Sequence, residues 1–106
     1  MALRVRVCEI TDVVPGELRG FAVPGVTWPV MVTSLDGALI AFPGVCPHDD
    51  VSLVDYGVLD PDRMLRCRVH GYRFDLDTGA CLHMSSLHLR RYKITVVGTE
   101  LFVDLL

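Results

Sequence analysis

The sequence predicts an all-β protein, either an antiparallel sandwich or a small barrel. Several short runs alternate apolar and polar residues with period two, and Pro and Gly recur between them as turn residues. No segment repeats apolar residues at i, i+3, i+4 and i+7 over three helical turns. With 106 residues, 51% of them hydrophobic, the chain suits one domain with its own core. We therefore expect a single domain over residues 1–106.

Six strands are expected in the two flanks of the chain, and turn residues separate them. Asp36-Gly37 lies between the third and fourth strands and is typical of hairpins, because Gly tolerates positive φ. Gly98-Thr99 separates the last two strands in the same way, and Pro15-Gly16 and Pro24-Gly25 bound the second. The expected strands are Leu3–Val7, Leu18–Val23, Trp28–Thr33, Ala38–Phe42, Tyr92–Val96 and Leu101–Leu105.

Composition and charge exclude some partners. The net charge is -3 and the pI about 5.7, so the chain lacks the excess of Lys and Arg that nucleic-acid binding needs. Residues Met1–Arg6 show no secretory signal, and no apolar run approaches the roughly 18 residues of a membrane span. We therefore expect a cytoplasmic protein without a membrane partner. In such a chain, patterned cysteines more often bind metal or act in redox chemistry than form disulfides.

The segment from Pro43 to about Ser86 differs from the strand-rich flanks, because it contains two pairs of metal-ligating residues. Cys46-Pro47-His48 and Cys67-Arg68-Val69-His70 each offer one thiolate and one imidazole. Eighteen residues separate His48 from Cys67, and Gly71-Tyr72-Arg73-Phe74-Asp75 follows the second pair. One Cys-x-His motif would be weak evidence for a metal site, but two mixed Cys/His pairs in this order predict one.

These residues, together with the Thr78-Gly79 turn, resemble the Rieske signature: Cys-x-His, a spacer, then Cys-x-x-His-Gly and an aromatic-containing strand. The resemblance implies one [2Fe–2S] cluster held by Cys46, His48, Cys67 and His70. In a Rieske centre two Cys bind one iron and two His bind the other. Compared with four Cys ligands, this set raises the reduction potential, to about -150 to +300 mV. The spacer is slightly longer than usual, and we assign the excess to a loop at Tyr56–Asp62.

Within that range the resemblance implies a low potential. High-potential Rieske proteins tie the two ligand loops by a disulfide, and this sequence has Val51 and Val69 at those positions. They also carry a Ser that donates to a bridging sulfide, where this sequence has Tyr72. Loss of that donor and the nearby negative charges of Asp49 and Asp50 both disfavour the reduced, more negative cluster.

The resemblance also implies a fold, a function and partners. The fold would be an antiparallel β-sandwich scaffold with a small cluster-binding subdomain at about 43–86. The protein would not be an enzyme by itself but a soluble one-electron carrier of aromatic hydrocarbon catabolism. It would take electrons from a flavoprotein reductase and pass them to a terminal oxygenase or hydroxylase.

Three alternatives stay open. The same module serves as the ferredoxin component of di-iron monooxygenases. It also forms the small subunit of nitrite-reductase-like enzymes, although members of that group often lack the ligands. A structural zinc site is the third, because two Cys and two His are a common zinc set. Zinc fingers, however, pair Cys with Cys, then His with His on a helix, and no helix is expected after His70.

The remaining chemistry-bearing residues have simpler interpretations. Cys8 and Cys81 are expected to be small buried core residues, and Trp28 is also assigned to the core. His83 and His88 could suggest an iron site with a carboxylate, but surface imidazoles are the preferred interpretation. For Arg66 and Arg68, which flank Cys67, a solvated face and a partner-docking role both remain possible.

Overall fold

The computed structural model describes residues 3–105, so the prediction for Met1–Arg6 falls partly outside them. Its strands form three antiparallel sheets of three strands each. The strands are β1 Arg4–Glu9, β2 Arg19–Phe21, β3 Val30–Leu35, β4 Ala38–Pro43, β5 Gly57–Asp60, β6 Met64–Cys67, β7 Arg73–Asp75, β8 Lys93–Val97 and β9 Glu100–Asp104. A 3-10 turn covers Ile10–Asp12, and the helix α1 covers Leu53–Tyr56. Neither helical segment of the described chain has the length or apolar character needed to span a bilayer.

We call the sheet β1-β9-β8 the terminal sheet, β2-β3-β4 the central sheet and β5-β6-β7 the insert sheet. Turn residues set the register of the hairpins. Asp36 and Gly37 both have positive φ, 52° and 81°, as the tight turn between β3 and β4 requires. That hairpin pairs Leu35 with Ala38 and continues in register to Val30 with Pro43. The β8–β9 hairpin turns at Gly98, whose φ is 63°. Both predicted hairpins are confirmed.

The central sheet is buried on both faces. Val30 and Val32 pack with Leu101 and Val103 of the terminal sheet in one core. Met31, which points to the opposite face of β3, belongs to a second core shared with the insert sheet. This is why the third strand is an almost continuous apolar run rather than an alternating one. The terminal and central sheets form the expected sandwich, and the insert sheet adds a third layer.

Several expectations about individual elements were wrong. The Tyr56–Asp62 segment is not a loop, because Gly57–Asp60 forms β5 and pairs with β6. Trp28 is only half-buried and belongs to neither core, as is common for a large indole beside Pro29. The second strand is shorter than expected, and the third begins at Val30 because Pro29 interrupts the run. The four-residue helix α1 was not predicted, since it is too short to show helical periodicity.

Ion pairs join the insert sheet to the tip of the β3–β4 hairpin. Arg63, in the β5–β6 turn, donates from Nη1 to Asp36 at 2.8 Å and from Nη2 to Asp77 at 2.6 Å. Arg66 and Arg73 share the carboxylate of Asp60 on the insert sheet itself. These contacts fix the orientation of the segment that carries the predicted ligands.

Candidate metal centre

The first predicted ligand loop leaves the end of β4 and leads into α1. The backbone N–H of Cys46 donates to the carbonyl oxygen of Val51 at 3.0 Å, and that of Leu53 donates to Gly44 at 2.9 Å. Ser52 caps α1 by accepting from Val54 N. These bonds close the loop on itself, with Cys46 buried, 2% exposed, and His48 half-buried.

The second loop joins β6 to β7 and is closed in the same way. The N–H of Cys67 donates to the carbonyl of Tyr72 at 2.9 Å, and that of Gly71 donates to Cys67 at 2.8 Å. Gly71 has a φ of 76°, which a residue with a side chain rarely adopts. Cys67 is again buried, 2% exposed, whereas His70 is exposed.

The two loops place Cys46 and Cys67 in the same core as neighbouring buried thiols. Burial raises the pKa of the Cys46 thiol above its ordinary value, while the backbone N–H groups of Asp49 and His48 hydrogen-bond to its sulfur and lower the pKa. The neighbouring Cys67 thiol raises the pKa further. Two neighbouring buried thiols cannot both ionise without a compensating positive charge. Metal ions supply that charge when they displace the protons.

The imidazoles form a second pair, nearer the surface. The rings of His48 and His70 have centroids 4.6 Å apart and meet edge to face at 83°. Within residues 3–105 no three Cys, His, Asp or Glu side chains converge on the position of a single ion. The donors are instead sorted into one pair of thiols and one pair of imidazoles. A [2Fe–2S] cluster with two protein ligands on each iron suits this donor set.

Tyr72 and His83 also lie in this region, and the sequence does not predict that they contact each other or His48. The sequence distinguishes Tyr72 only as the residue that stands where the high-potential group carries Ser, and it predicts a surface position for His83. His83 is indeed exposed, but its ring stacks on Tyr72 at 5.6 Å and 26°. Tyr72 in turn meets His48 edge to face at 4.2 Å and 80°.

The other residues singled out in the sequence lie in the two cores, in an ion pair or at the surface. As expected, Cys8 is buried in the core between the terminal and central sheets, and Cys81 in the core beside the insert sheet. Arg66 is paired with Asp60 at 3.2 Å. Arg68 is exposed and donates to the carbonyl of Asp55 at 2.6 Å. His88 is exposed.

Comparison with known proteins assigns the family. Residues 4–99 match the model of the Rieske [2Fe–2S] domain. The chain belongs to that family. The ferredoxin component of the alkene monooxygenase system of Xanthobacter autotrophicus is 30% identical over 99 residues, 93% of this chain and 79% of the relative. The ferredoxin component of the p-cumate 2,3-dioxygenase system of Pseudomonas putida is 33% identical over 101 residues, 94% and 84% of the two chains.

Known structures agree with the family assignment. The ferredoxin of carbazole 1,9a-dioxygenase from Nocardioides aromaticivorans has a TM-score of 0.77 at 32% identity and covers 94% of this Rieske chain and 95% of its own. A ferredoxin in complex with the oxygenase of carbazole 1,9a-dioxygenase has a TM-score of 0.79 at 27% identity, covering 95% and 92%. A nitrite reductase small subunit from Mycobacterium tuberculosis, at 21% identity and a TM-score of 0.80 over 100% and 97%, shares the fold.

The family assignment confirms the Rieske fold and the [2Fe–2S] cofactor that the motifs implied. It favours that cofactor over the zinc site. The sequence relatives are ferredoxin components of oxygenase systems, which carry electrons and are not themselves the catalytic subunits.

Proposed function

We propose that this Rieske protein is the ferredoxin component of a bacterial oxygenase system. It would carry one electron at a time from a flavin-dependent reductase to a terminal oxygenase. The observation that carries the proposal is the arrangement of the donors, with two thiols buried and two imidazoles towards the surface. The relatives from oxygenase systems support the same assignment.

We further propose that Cys46, His48, Cys67 and His70 hold the cluster, in a cluster-binding subdomain of about residues 43–86 within a single domain. Their donor types match the family's cofactor, and the position of both thiols as neighbours in one core supports a shared iron. The N–H groups of His48 and Asp49 directed at Cys46 would stabilise the negative charge of a thiolate ligand. When bound, the cluster accepts and releases one electron.

The surface around the imidazoles supports partner docking at this end of the molecule. Val69, next to His70, is 39% exposed, and Leu82 and Met84, which flank His83 in the chain, are 53% and 42% exposed. Exposed apolar side chains that form a patch are typical of contact surfaces. A partner bound here would lie next to His70, so the electron would cross a short distance.

A cytoplasmic location is part of the proposal. The described residues contain no disulfide, and Cys8 and Cys81 are buried free thiols in different cores. Such unpaired cysteines are typical of reducing compartments.

Two other electron acceptors, a di-iron monooxygenase and a nitrite-reductase-like enzyme, are supported to different degrees by the comparisons. One relative serves a monooxygenase system and the other a dioxygenase system, so a di-iron monooxygenase is the second candidate for this chain's partner. The nitrite-reductase role has less support, since that neighbour, at 21% identity, shares only the fold. Reconstitution of electron transfer with purified reductases, dioxygenases and monooxygenases would separate these partners.

Metal analysis and spectroscopy of the purified protein test the cofactor and its ligands. We expect a brown-red protein with about two irons and two acid-labile sulfides per chain. Dithionite reduction should give a rhombic EPR signal with an average g below that of a ferredoxin with four Cys ligands. The reason is that imidazole donates less electron density than thiolate. A colourless chain with one zinc ion would contradict the proposal.

A further inference from the structure

The two predicted ligand loops are each closed by their own backbone hydrogen bonds, from Cys46 to Val51 and from Cys67 to Tyr72. Those bonds hold each loop but do not connect one loop to the other. A disulfide is also excluded as the connection at the two positions noted above, because they are Val51 and Val69. The loops meet directly where the rings of His48 and His70 lie 4.6 Å apart, but both rings are predicted ligands. A contact from outside the ligand set would hold the His48 loop against the His70 loop before or after a cluster is bound.

Tyr72 makes such a contact. Its carbonyl oxygen belongs to the second loop, where it accepts from Cys67 N at 2.9 Å. Its ring reaches the first loop and meets the His48 imidazole edge to face, with centroids 4.2 Å apart at 80°. Edge-to-face contact at this distance is a favourable aromatic geometry. The ring also lies 6.4 Å from His70 at a tilt of 41°, so Tyr72 is close to both predicted histidine ligands.

His83 holds Tyr72 from a third segment of the chain. Leu82 N donates to the carbonyl of Arg73 at 3.0 Å, and Cys81 forms a β-bridge with Phe74, so residues 81 and 82 run beside β7. This pairing brings His83 over the Tyr72 ring, where the two rings stack at 5.6 Å and 26°. The stacking limits rotation of the Tyr72 side chain towards solvent.

We propose that Tyr72 and His83 form an aromatic clamp that positions the His48 ligand and joins the two ligand loops in place of a disulfide. Both are positioning residues, because they act through His48 rather than on the iron. The inference rests on the proposed function, since it takes His48 to be a ligand. It concerns ring contact, so the aromatic ring of Tyr72 should matter and its hydroxyl should not.

The test uses the full chain reconstituted with its cluster, and variants Tyr72→Ala, Tyr72→Phe, His83→Ala and His83→Phe. Loss of visible absorption in the presence of an iron chelator measures cluster release, and EPR of the reduced protein reports the environment of the histidine-bound iron. Tyr92→Ala and His88→Ala are matched controls, because Tyr92 contacts Arg90 and His88 lies beside Gly79, outside the two ligand loops. Far-UV circular dichroism checks that each variant is folded.

We expect His83→Ala and Tyr72→Ala to release the cluster roughly two- to tenfold faster than the parent, the range expected for loss of one aromatic contact. Their g values should shift, because the His48 ring is less restrained. Tyr72→Phe and His83→Phe should restore the parent's rate, and both controls should match the parent. If Tyr72→Ala does not fold, the exposed His83 site decides the test on its own.

Two results would overturn the clamp. One is cluster release and g values in His83→Ala that equal those of the parent and of His88→Ala. The other is Tyr72→Phe releasing the cluster as fast as Tyr72→Ala, which would assign the effect to the hydroxyl. Both presuppose a parent with a normal [2Fe–2S] spectrum. A parent that binds no [2Fe–2S] cluster would instead refute the proposed function, and the clamp with it.

Discussion

The backbone N–H of Cys46 donates to the carbonyl oxygen of Val51 at 3.0 Å and closes the first ligand loop. Val51 stands where high-potential Rieske proteins carry one cysteine of their inter-loop disulfide. The loop therefore keeps its closure through the backbone although the side chain at this position cannot form a covalent bond. The shape of each loop and the connection between the two loops therefore depend on different contacts. Substitutions that weaken one of these contacts need not weaken the other.

We predict a potential in the lower part of the Rieske range, between about -150 and 0 mV. Val51 and Val69 cannot form the disulfide, and Tyr72 contacts His48 with its ring instead of offering the Ser hydroxyl found in the high-potential group. The carboxylates of Asp49 and Asp50, both exposed beside the first loop, also disfavour added negative charge. Protein-film voltammetry measures the potential. A value well above zero would contradict the low-potential assignment.

The ligand set predicts which variants lose colour. His48→Ala and His70→Ala should abolish the [2Fe–2S] absorption or leave an unstable remnant, because each removes one of the two imidazoles. Cys8→Ser and Cys81→Ser should keep the spectrum, since Cys8 lies in the other core and Cys81 pairs with Phe74 outside both ligand loops. Iron and sulfide content and visible spectra of the four variants test the assignment. Bleaching by either serine variant would show that the division between ligand and core cysteines is wrong.

The Cys8 thiol should make the free energy of unfolding fall as the pH rises into the alkaline range. Burial raises the pKa of its thiol, which is 3% exposed, and the Asp12 carboxylate acts in the same direction. In the unfolded chain the thiol ionises near a pH of about 8.5. Folding therefore favours the protonated thiol. The resulting contribution to the free energy of unfolding is fully present below that pH and is lost as the pH rises through the pKa of the folded state.

Urea unfolding of the parent and of Cys8→Ala, both loaded with the cluster, measures this effect at several pH values from 7 to 10. The free energy of unfolding of the parent should fall more steeply with pH than that of Cys8→Ala. Other titrating groups are common to both proteins and cancel in the comparison. Parallel pH profiles would mean that the Cys8 thiol ionises in the folded protein as it does in the unfolded chain.

Arg63 should stabilise the fold in a salt-dependent way. Its guanidinium bonds Asp36 on the central hairpin and Asp77 after β7, and it lowers the pKa of Asp77. Arg63→Gln should lower the melting temperature by a few degrees at low salt, and by less at about 1 M salt, where the ion pairs are screened. Arg19→Gln is the control, since Arg19 makes only a 3.7 Å contact with Glu17. Equal shifts for both variants would assign no special role to Arg63.

Much of the architecture follows from local sequence. Asp36-Gly37 can form the tight turn with positive φ that β3–β4 requires, and Gly98 does the same for β8–β9, so both hairpins were predictable. The two Cys/His pairs predicted a metal site, and their resemblance to the Rieske signature, with Gly after the second pair, implied the cofactor. These features depend on residues close together in the chain, where steric preferences and motif spacing act directly.

Only the tertiary structure decided how the layers and the aromatic residues meet. Periodicity could not show that the central sheet is covered on both faces, because an apolar run has the same appearance in a buried strand of any sheet. Periodicity also could not show that β5 forms in place of the expected loop. Pairing with β6, and not the composition of the segment, makes this segment a strand. The His83–Tyr72–His48 contact joins three segments that the sequence separates. It exists because the bridge between Phe74 and Cys81 turns the chain back along β7 and brings His83 over the second loop.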